Sequence, residues 1–177
     1  IAEELIGASH RYRIPLGAVV SVGNAMQFGL TEYLEAMGED ERCEVVLLYA
    51  ESFGDSERFR EVARRVSAKK PVIALMGGRT EAGAAAAFRH TGSQALSDGQ
   101  AAAFCQEAGM LRVTSLRDLM LAGKVYGRFP RGIGRRVLLL SNSGGPGVLA
   151  SDAATTRGLR LEPLPAVLSE RLSAMFP

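Results

Sequence analysis

Residues 44–51 are Glu-Val-Val-Leu-Leu-Tyr-Ala-Glu, and residues 71–78 are Pro-Val-Ile-Ala-Leu-Met-Gly-Gly. Each stretch contains a continuous apolar run of strand length. Such runs are typical of strands that are covered on both faces, as in a parallel sheet. The sequence between them carries Phe59, Val62, Ala63 and Val66 at helical spacing, with Asp55 ahead of them as a helix cap. Together these segments predict a β-α-β unit.

The alternation of strands and helices continues on both sides of this unit. The patterns predict strands over 18–22 and 110–113, and helices over 2–13, 30–37, 98–108 and from the Ser115 cap toward Val125. The alanine run 84–87 indicates small-residue helix packing. We therefore expect an α/β fold with a doubly wound parallel sheet and helices on both faces.

A glycine- and arginine-rich segment, 127–134, interrupts the alternation and is predicted to be a linker. A second βαβα unit follows, with strands over 136–140 and 159–163 and helices over 148–157 and 166–176. It is too small to bury a core by itself. Since the chain also lacks an initiator Met, we expect it to be a piece of a longer polypeptide.

Composition narrows the function classes. The 177 residues carry a net charge of +2 with 47% hydrophobic and 23% charged residues, which is typical of a globular protein and gives no electrostatic footprint for nucleic acid. Arg128, Arg131, Arg135 and Arg136 form a local basic cluster that a solvated linker explains. Cys43 and Cys105 have no metal-ligand spacing, so no metal site is expected. No membrane span or signal peptide is evident, which favours a cytoplasmic location.

His90 is the residue that points most directly to chemistry. The chain has two histidines, and this one lies between an Ala-rich segment and Thr91-Gly92-Ser93, where we expect a loop. Imidazole accepts and releases groups near neutral pH, so His90 is a candidate nucleophile. A solvated surface histidine is the alternative that its position alone leaves open.

Four segments follow predicted strands, where ligands of open α/β sheets bind. Gly23 and Asn24 lie in the first segment, for which an ordinary turn is the alternative interpretation. Glu51 ends the second and is either a partner for an imidazole or a solvated residue. Arg79 lies in the third segment and is suited to bind an anion; an ordinary surface ion pair is the alternative. The fourth segment is suited to bind phosphate at a helix start, although it lacks the Gly-Lys-Ser/Thr ending of a Walker loop. It consists of Asn142-Ser143-Gly144-Gly145-Pro146-Gly147.

Several runs carry a specific resemblance. They are Ser21–Asn24, Val46–Glu51, Lys70–Gly83 with its Gly-Arg-Thr-Glu-Ala-Gly core, His90-Thr91-Gly92-Ser93, Ser97-Asp98 and Asn142–Asp152. In this order they resemble the nucleoside-diphosphate-forming acyl-CoA synthetases, and most nearly the ADP-forming acetyl-CoA synthetase branch. The resemblance implies a flavodoxin-like histidine domain over 1–127, a linker over 128–134, and the start of a second such domain over 135–177.

The resemblance also implies roles for individual residues. His90 would carry a phosphohistidine, Glu51 would steady it, and Asn142, Ser143, Gly144, Gly145 and Gly147 would cradle phosphate. Gly23, Asn24, Arg79, Thr91 and Gly92 would be substrate or loop residues. The implied ligands are a small acyl substrate, phosphate, CoA and Mg-bound ATP or ADP. The implied partners are a Rossmann-like CoA-binding domain and an ATP-grasp domain or subunit, in an oligomer, so the isolated chain is not expected to turn over.

Two alternatives remain at this point. One is a non-catalytic relative that senses acyl-CoA or nucleotide, or mediates assembly; the pairing of His90 with Glu51 argues against it. The other is a flavodoxin-like response or flavin module. The strand ends lack the acidic cluster of a phospho-acceptor aspartate and the chain has no Trp for flavin stacking, which argue against this second alternative.

Overall fold

The computed structural model of the protein describes residues 1–23, 27–54, 56–92, 95–130 and 132–175, with only the backbone of His90 and Thr91. The chain divides into two compact units, Ile1–Arg131 and Gly132–Pro177. Each unit is described by itself. None of the helices in the described part of the chain is long and apolar enough to cross a membrane.

The first unit is built on a parallel sheet of three strands within its described residues. In spatial order these are β1 (Val46–Ala50), β2 (Val72–Met76) and β3 (Leu111–Val113). Val46 pairs with Val72 and Ala50 with Met76, so β1 and β2 end at the same level. The helices of this unit are α1 (Ala2–Tyr12), α2 (Leu30–Glu39), α3 (Ser56–Ser67), α4 (Glu81–Thr91), α5 (Asp98–Glu107) and α6 (Leu116–Arg128).

The larger hydrophobic core covers one face of the sheet. Alternate strand residues, such as Val46 and Leu48 on β1 and Ala74 on β2, point to this face because side chains alternate along a strand. Helices α2, α3 and α5 cover it. The predicted stripe of α3 is buried as expected: Phe59, Val62, Ala63 and Val66. Within this core the ring of Phe53 stacks on those of Phe59 and Phe104, which are tilted relative to each other.

The second core lies on the opposite face of the sheet. Ile73 and Leu75 of β2 pack there against the fully buried Leu119 of α6. Helix α6 contacts all three strands, and α1 packs on α6. Because helices cover both faces, the expected parallel α/β architecture is confirmed, and the uninterrupted apolar runs of β1 and β2 are explained.

The strand predicted over 18–22 is wrong. These residues form no ladder with the sheet, in which β1 pairs with β2 and β2 with β3. Val19 and Val20 are each 40% exposed. Their β-branched side chains favour extended backbone, but a strand also needs a hydrogen-bonded neighbour, and propensity alone does not supply one. The Asp55 cap predicted for α3 lies outside the described residues.

The second unit contains two short parallel strands, β4 (Arg136–Val137) and β5 (Arg160–Leu161), with helices α7 (Gly144–Thr156) and α8 (Ala166–Met175). Both strands are shorter than predicted. Helix α7 starts four residues earlier than predicted, because Pro146 is tolerated within a first helical turn, where its missing N–H removes no bond. The exposed Leu138, Leu139 and Leu140 continue beyond β4 without joining the ladder.

Candidate functional site

The centre of the candidate site is the edge of the sheet where β1 and β2 end. Glu51 follows β1 directly, and its Oε1 accepts a hydrogen bond of 3.2 Å from the hydroxyl of Tyr49. The N–H of Gly77, which follows β2, donates to the carbonyl of Ala50 at 2.9 Å. This bond extends the β1–β2 ladder past the strands, so it fixes the backbone on which Glu51 is carried. Sequence reasoning missed Tyr49, since a tyrosine inside an apolar strand normally indicates core packing.

Two glycines make this edge compact. A Cβ on Gly77 would stand 2.7 Å from the Tyr49 hydroxyl oxygen and 3.2 Å from Cγ of Glu51. Gly78 has φ of +74°, and a Cβ there would stand 2.5 Å from the Cβ of Ala95 and 3.5 Å from that of Ala87. Gly78 therefore needs to be glycine both for its backbone conformation and for the contact. The requirement explains the Gly-Gly pair that ends the second apolar run.

A cleft of about 310 Å³ opens at the same edge. Two helices begin beside it. Thr80 caps α4 by accepting a 3.1 Å bond from the N–H of Gly83, and Ser115 caps α6 by accepting a 3.0 Å bond from the N–H of Asp118. The partial positive charge of helix starts favours anions there. Residues lining the cleft are Tyr49, Leu75, Met76, Gly77, Gly78, Arg79, Thr80, Gly83, Thr114, Ser115 and Leu116.

Arg79 takes part in an ion cluster at the border of this cleft. Its Nη1 lies 3.4 Å from Oδ1 of Asp98, and its Nη2 donates at 3.4 Å to the carbonyl of Thr114. Asp98 also pairs with Arg112. Bonding to Arg112 first and to Arg79 second lowers the pKa of the Asp98 carboxyl below its usual range. The ion pair that the sequence left open for Arg79 is therefore present.

His90 lies in the last turn of α4, and not in a loop as the sequence suggested. The Ala-rich segment before it has high helix propensity and carries the helix through Thr91. Gly92 ends the helix in the left-handed conformation, with φ of 68°, and its N–H donates to the carbonyl of Phe88. His90 lies three residues beyond Ala87, whose Cβ would stand 3.5 Å from a Cβ on Gly78.

The segment 21–24 does not follow a strand as predicted. Gly23 is exposed, with nothing within 4 Å of the position a Cβ would take. Asn24 lies outside the described residues. In the described part of the chain no three His, Cys, Asp or Glu side chains gather as metal ligands would.

The predicted phosphate loop lies in the second unit. Ser143 is the N-cap residue of α7 and makes no side-chain cap bond. Gly144, Gly145 and Gly147 lie in the first turn of the helix, directly after it. The Ser141 hydroxyl accepts from the N–H of Ser143 at 3.1 Å and donates to its carbonyl at 2.6 Å, which fixes the loop. A depression of about 490 Å³ lies there, lined by Leu139, Ser141, Asn142, Ser143, Gly144, Gly147 and Ser151.

Comparison with known families assigns the first unit. The family described as the succinyl-CoA ligase like flavodoxin domain matches residues 1–126. The chain belongs to this family. The match covers the three-stranded sheet, Glu51, the cleft and the helix that carries His90, so the flavodoxin-like fold expected from the resemblance is confirmed.

Named relatives of this succinyl-CoA ligase like chain are ligases. It is 40% identical to subunit alpha of acetate–CoA ligase (ADP-forming) I of Pyrococcus furiosus, over 89% of this chain and 34% of that subunit. It is 35% identical to acetate–CoA ligase (ADP-forming) of Methanocaldococcus jannaschii, over 93% of this chain and 23% of that protein. The chain thus spans about a third or less of these relatives.

A solved structure shares the fold over nearly the whole chain. The dinucleotide-forming acetyl-coenzyme A synthetase 1 of Ca. Korarchaeum cryptofilum, solved in complex with phosphate and ADP, superposes with a TM-score of 0.83 at 32% identity. The superposition covers 98% of this chain and 38% of that one. The apo form of the same protein gives a TM-score of 0.81 at 31% identity.

Proposed function

We propose that this chain is the histidine-bearing part of an NDP-forming acyl-CoA synthetase. This acid–thiol ligase interconverts acyl-CoA, phosphate and ADP with acid, CoA and ATP. The observation that carries the proposal is the likeness to the solved acetyl-coenzyme A synthetase over 98% of the chain. Because the named relatives are ADP-forming ligases, the enzyme is favoured over a non-catalytic sensing or assembly module.

In the proposed reaction His90 is the phosphoryl acceptor. Phosphate first displaces CoA from acyl-CoA, which gives an acyl phosphate. A ring nitrogen of His90 then attacks the phosphorus of the acyl phosphate, the P–O bond to the acyl group breaks, and the carboxylic acid leaves as its anion. The phosphoryl group then passes from the histidine to the terminal phosphate oxygen of ADP, which gives ATP and the free imidazole. The reverse sequence begins with ATP.

Glu51 is proposed to be the partner of that imidazole. A carboxylate next to an imidazole fixes its tautomer and stabilises its protonated form. Glu51 is suited to this role because its backbone is held by the ladder between β1 and Gly77, and one of its oxygens is held by Tyr49. A fixed carboxylate presents the attacking ring nitrogen in one direction.

The start of α7 is proposed to hold phosphate. Backbone N–H groups of a first helical turn, with the helix dipole behind them, bind anions. Ser143 makes no side-chain cap bond to this turn, which supports the role proposed for Asn142, Ser143, Gly144, Gly145 and Gly147. In the first unit, Gly23, Asn24, Arg79, Thr91 and Gly92 are proposed as substrate or loop residues.

The proposal assigns the other ligands to other parts of the enzyme. A Rossmann-like domain would bind CoA, and an ATP-grasp domain or subunit would bind the nucleotide with its Mg²⁺, in an oligomer. We propose a cytoplasmic location for the synthetase, because it would use ATP and CoA. Within this chain we propose a histidine domain over 1–127, a linker over 128–134 and the start of a second flavodoxin-like domain over 135–177. The division into compact units at Arg131 supports that arrangement.

The experiment that tests the proposal is phosphoryl labelling. The complete synthetase, with its nucleotide-binding partner, is incubated with ATP labelled in the γ-phosphate. We expect an acid-labile label on this polypeptide, lost in His90→Asn together with turnover. His10→Asn is the matched control, since His10 is the other histidine of the sequence. Label and turnover that persist in His90→Asn would refute the proposed function.

A further inference from the structure

Tyr49 is placed to act on the proposed site through Glu51. Its side chain packs, half-buried, with the second core, on the face of the sheet that α6 covers. Residues two apart along an extended chain project to the same side. The Tyr49 hydroxyl therefore reaches Oε1 of Glu51, at 3.2 Å, beyond the end of the strand.

Close packing holds the tyrosine and the glutamate together. Gly77 leaves just enough room for both, because a Cβ there would stand within 2.7 Å of the hydroxyl oxygen and 3.2 Å of Glu51 Cγ. The phenol ring is anchored by apolar neighbours of the second core. A glutamate at a strand end loses considerable rotamer freedom when it is fixed, and an anchored donor supplies the interaction that fixes it.

The hydroxyl is suited to act as a permanent donor. Burial first, and the nearby Glu51 carboxylate second, raise the pKa of the Tyr49 phenol above its usual value near 10. The phenol therefore stays protonated across the physiological pH range. A carboxylate has about four acceptor positions, so the bond from Tyr49 leaves capacity for a bond from an imidazole as well.

We propose that Tyr49 is a positioning residue that sets the orientation of the Glu51 carboxylate toward its histidine partner. The inference rests on the proposed function, in which Glu51 supports His90. Tyr49 itself exchanges no proton and forms no bond to the phosphoryl group. It acts on the rate at which His90 is phosphorylated, and that action requires the Glu51 carboxylate.

The test is a double-mutant cycle in the complete synthetase. Single-turnover labelling with γ-labelled ATP is measured for the native protein, Tyr49→Phe, Glu51→Gln and the double variant. We expect Tyr49→Phe to slow labelling by about tenfold, which is typical for loss of a group that orients a functional side chain, with the ATP concentration at half-maximal rate unchanged. In the Glu51→Gln background Tyr49→Phe should have no further effect on the labelling rate, because the carboxylate through which Tyr49 acts is absent.

Tyr126→Phe is the matched control. Tyr126 is also half-buried and packs in the same core on α6, so its variant removes a hydroxyl without touching Glu51. It should label at the native rate. A native rate in Tyr49→Phe, an equal loss in Tyr126→Phe, a changed half-saturating ATP concentration, or effects that multiply in the double variant would overturn the inference.

A spectroscopic readout covers the case in which Glu51→Gln labels too slowly to measure. Imidazole ¹⁵N spectra are recorded on the complete synthetase, and the signals that disappear in His90→Asn are assigned to His90. Tyr49→Phe and Glu51→Gln should both shift the tautomer ratio or titration of His90, and Tyr126→Phe should not. Unchanged His90 signals in Tyr49→Phe would overturn the inference. Labelling of His90→Asn would instead refute the proposed function itself.

Discussion

At the scale of single residues, Gly77 controls the space around Glu51. Gly77→Ala places a methyl group within 2.7 Å of the Tyr49 hydroxyl oxygen, so the Tyr49–Glu51 pair must move. We expect a loss of about 1–3 kcal/mol in the free energy of unfolding, the usual cost of overpacking. We also expect at least a tenfold slower labelling of the synthetase. Urea unfolding and labelling with γ-labelled ATP measure the two effects.

Gly127→Ala is the control for this substitution. Gly127 lies in α6 with nothing within 4 Å of its would-be Cβ, so alanine should be neutral or stabilise by up to about 1 kcal/mol through helix propensity. If Gly77→Ala behaves like Gly127→Ala in both measurements, the close packing between Gly77 and the Tyr49–Glu51 pair is not needed.

Asp98 gives a pH dependence whose sign follows from its ion pairs. Its pKa in the folded protein is lowered by Arg112 and Arg79, below the value of about 3.9 in an unfolded chain. The carboxylate therefore stabilises the fold above about pH 4, and this contribution is lost as the pH falls through the folded pKa. We expect Asp98→Asn to unfold at lower urea concentration than the native chain at pH 6, with the gap closing below about pH 4. A gap that widens on acidification would contradict this.

At the scale of secondary-structure elements, Phe104 joins α5 to the rest of the larger core. Its ring stacks on Phe53 with centroids 4.4 Å apart and lies 6.1 Å from the ring of Phe59 on α3. Phe104→Ala removes these contacts and leaves a cavity, so we expect a loss of about 3–5 kcal/mol in unfolding free energy. Urea unfolding followed by circular dichroism measures it.

Phe88→Ala is the comparison for that change. Phe88 lies on α4 and is 59% exposed, so truncation should alter the unfolding free energy by no more than about 0.5 kcal/mol. Equal losses in the two variants would mean that the aromatic stack does not hold α3 and α5 together.

The sequence predicted those elements whose own residues determine them. The apolar runs of β1 and β2, the stripe of α3 and the Ser115 cap of α6 are local signals, and the structure contains them. The segment 18–22 has a strand's composition but no ladder partner, and pairing is not encoded in a single segment. Glu51 was found because it ends a visible strand. The bond from Tyr49 to Glu51 was missed because a tyrosine inside an apolar run normally indicates core packing.

At the scale of the whole molecule, the two units differ in how much core they contain. The described buried apolar residues belong to the first unit, apart from Ala154. Backbone amides in β1 and β2 should therefore exchange with solvent only through global opening, whereas those of α7 and α8 should exchange through easier local opening. Native-state hydrogen exchange with mass spectrometry measures this. Equal protection of α7 and β2 would contradict the assignment of the core to the first unit.

The most direct test of the proposed phosphohistidine is to locate the phosphoryl group chemically. The complete synthetase is treated with acyl phosphate in the absence of ADP, digested with trypsin at neutral pH, and sequenced by mass spectrometry. Cleavage after Arg89 releases a peptide that begins at His90. We expect a phosphoryl group on that histidine, which disappears when ADP is added. A turning-over enzyme whose phosphoryl group lies on another residue, or on none, would contradict it.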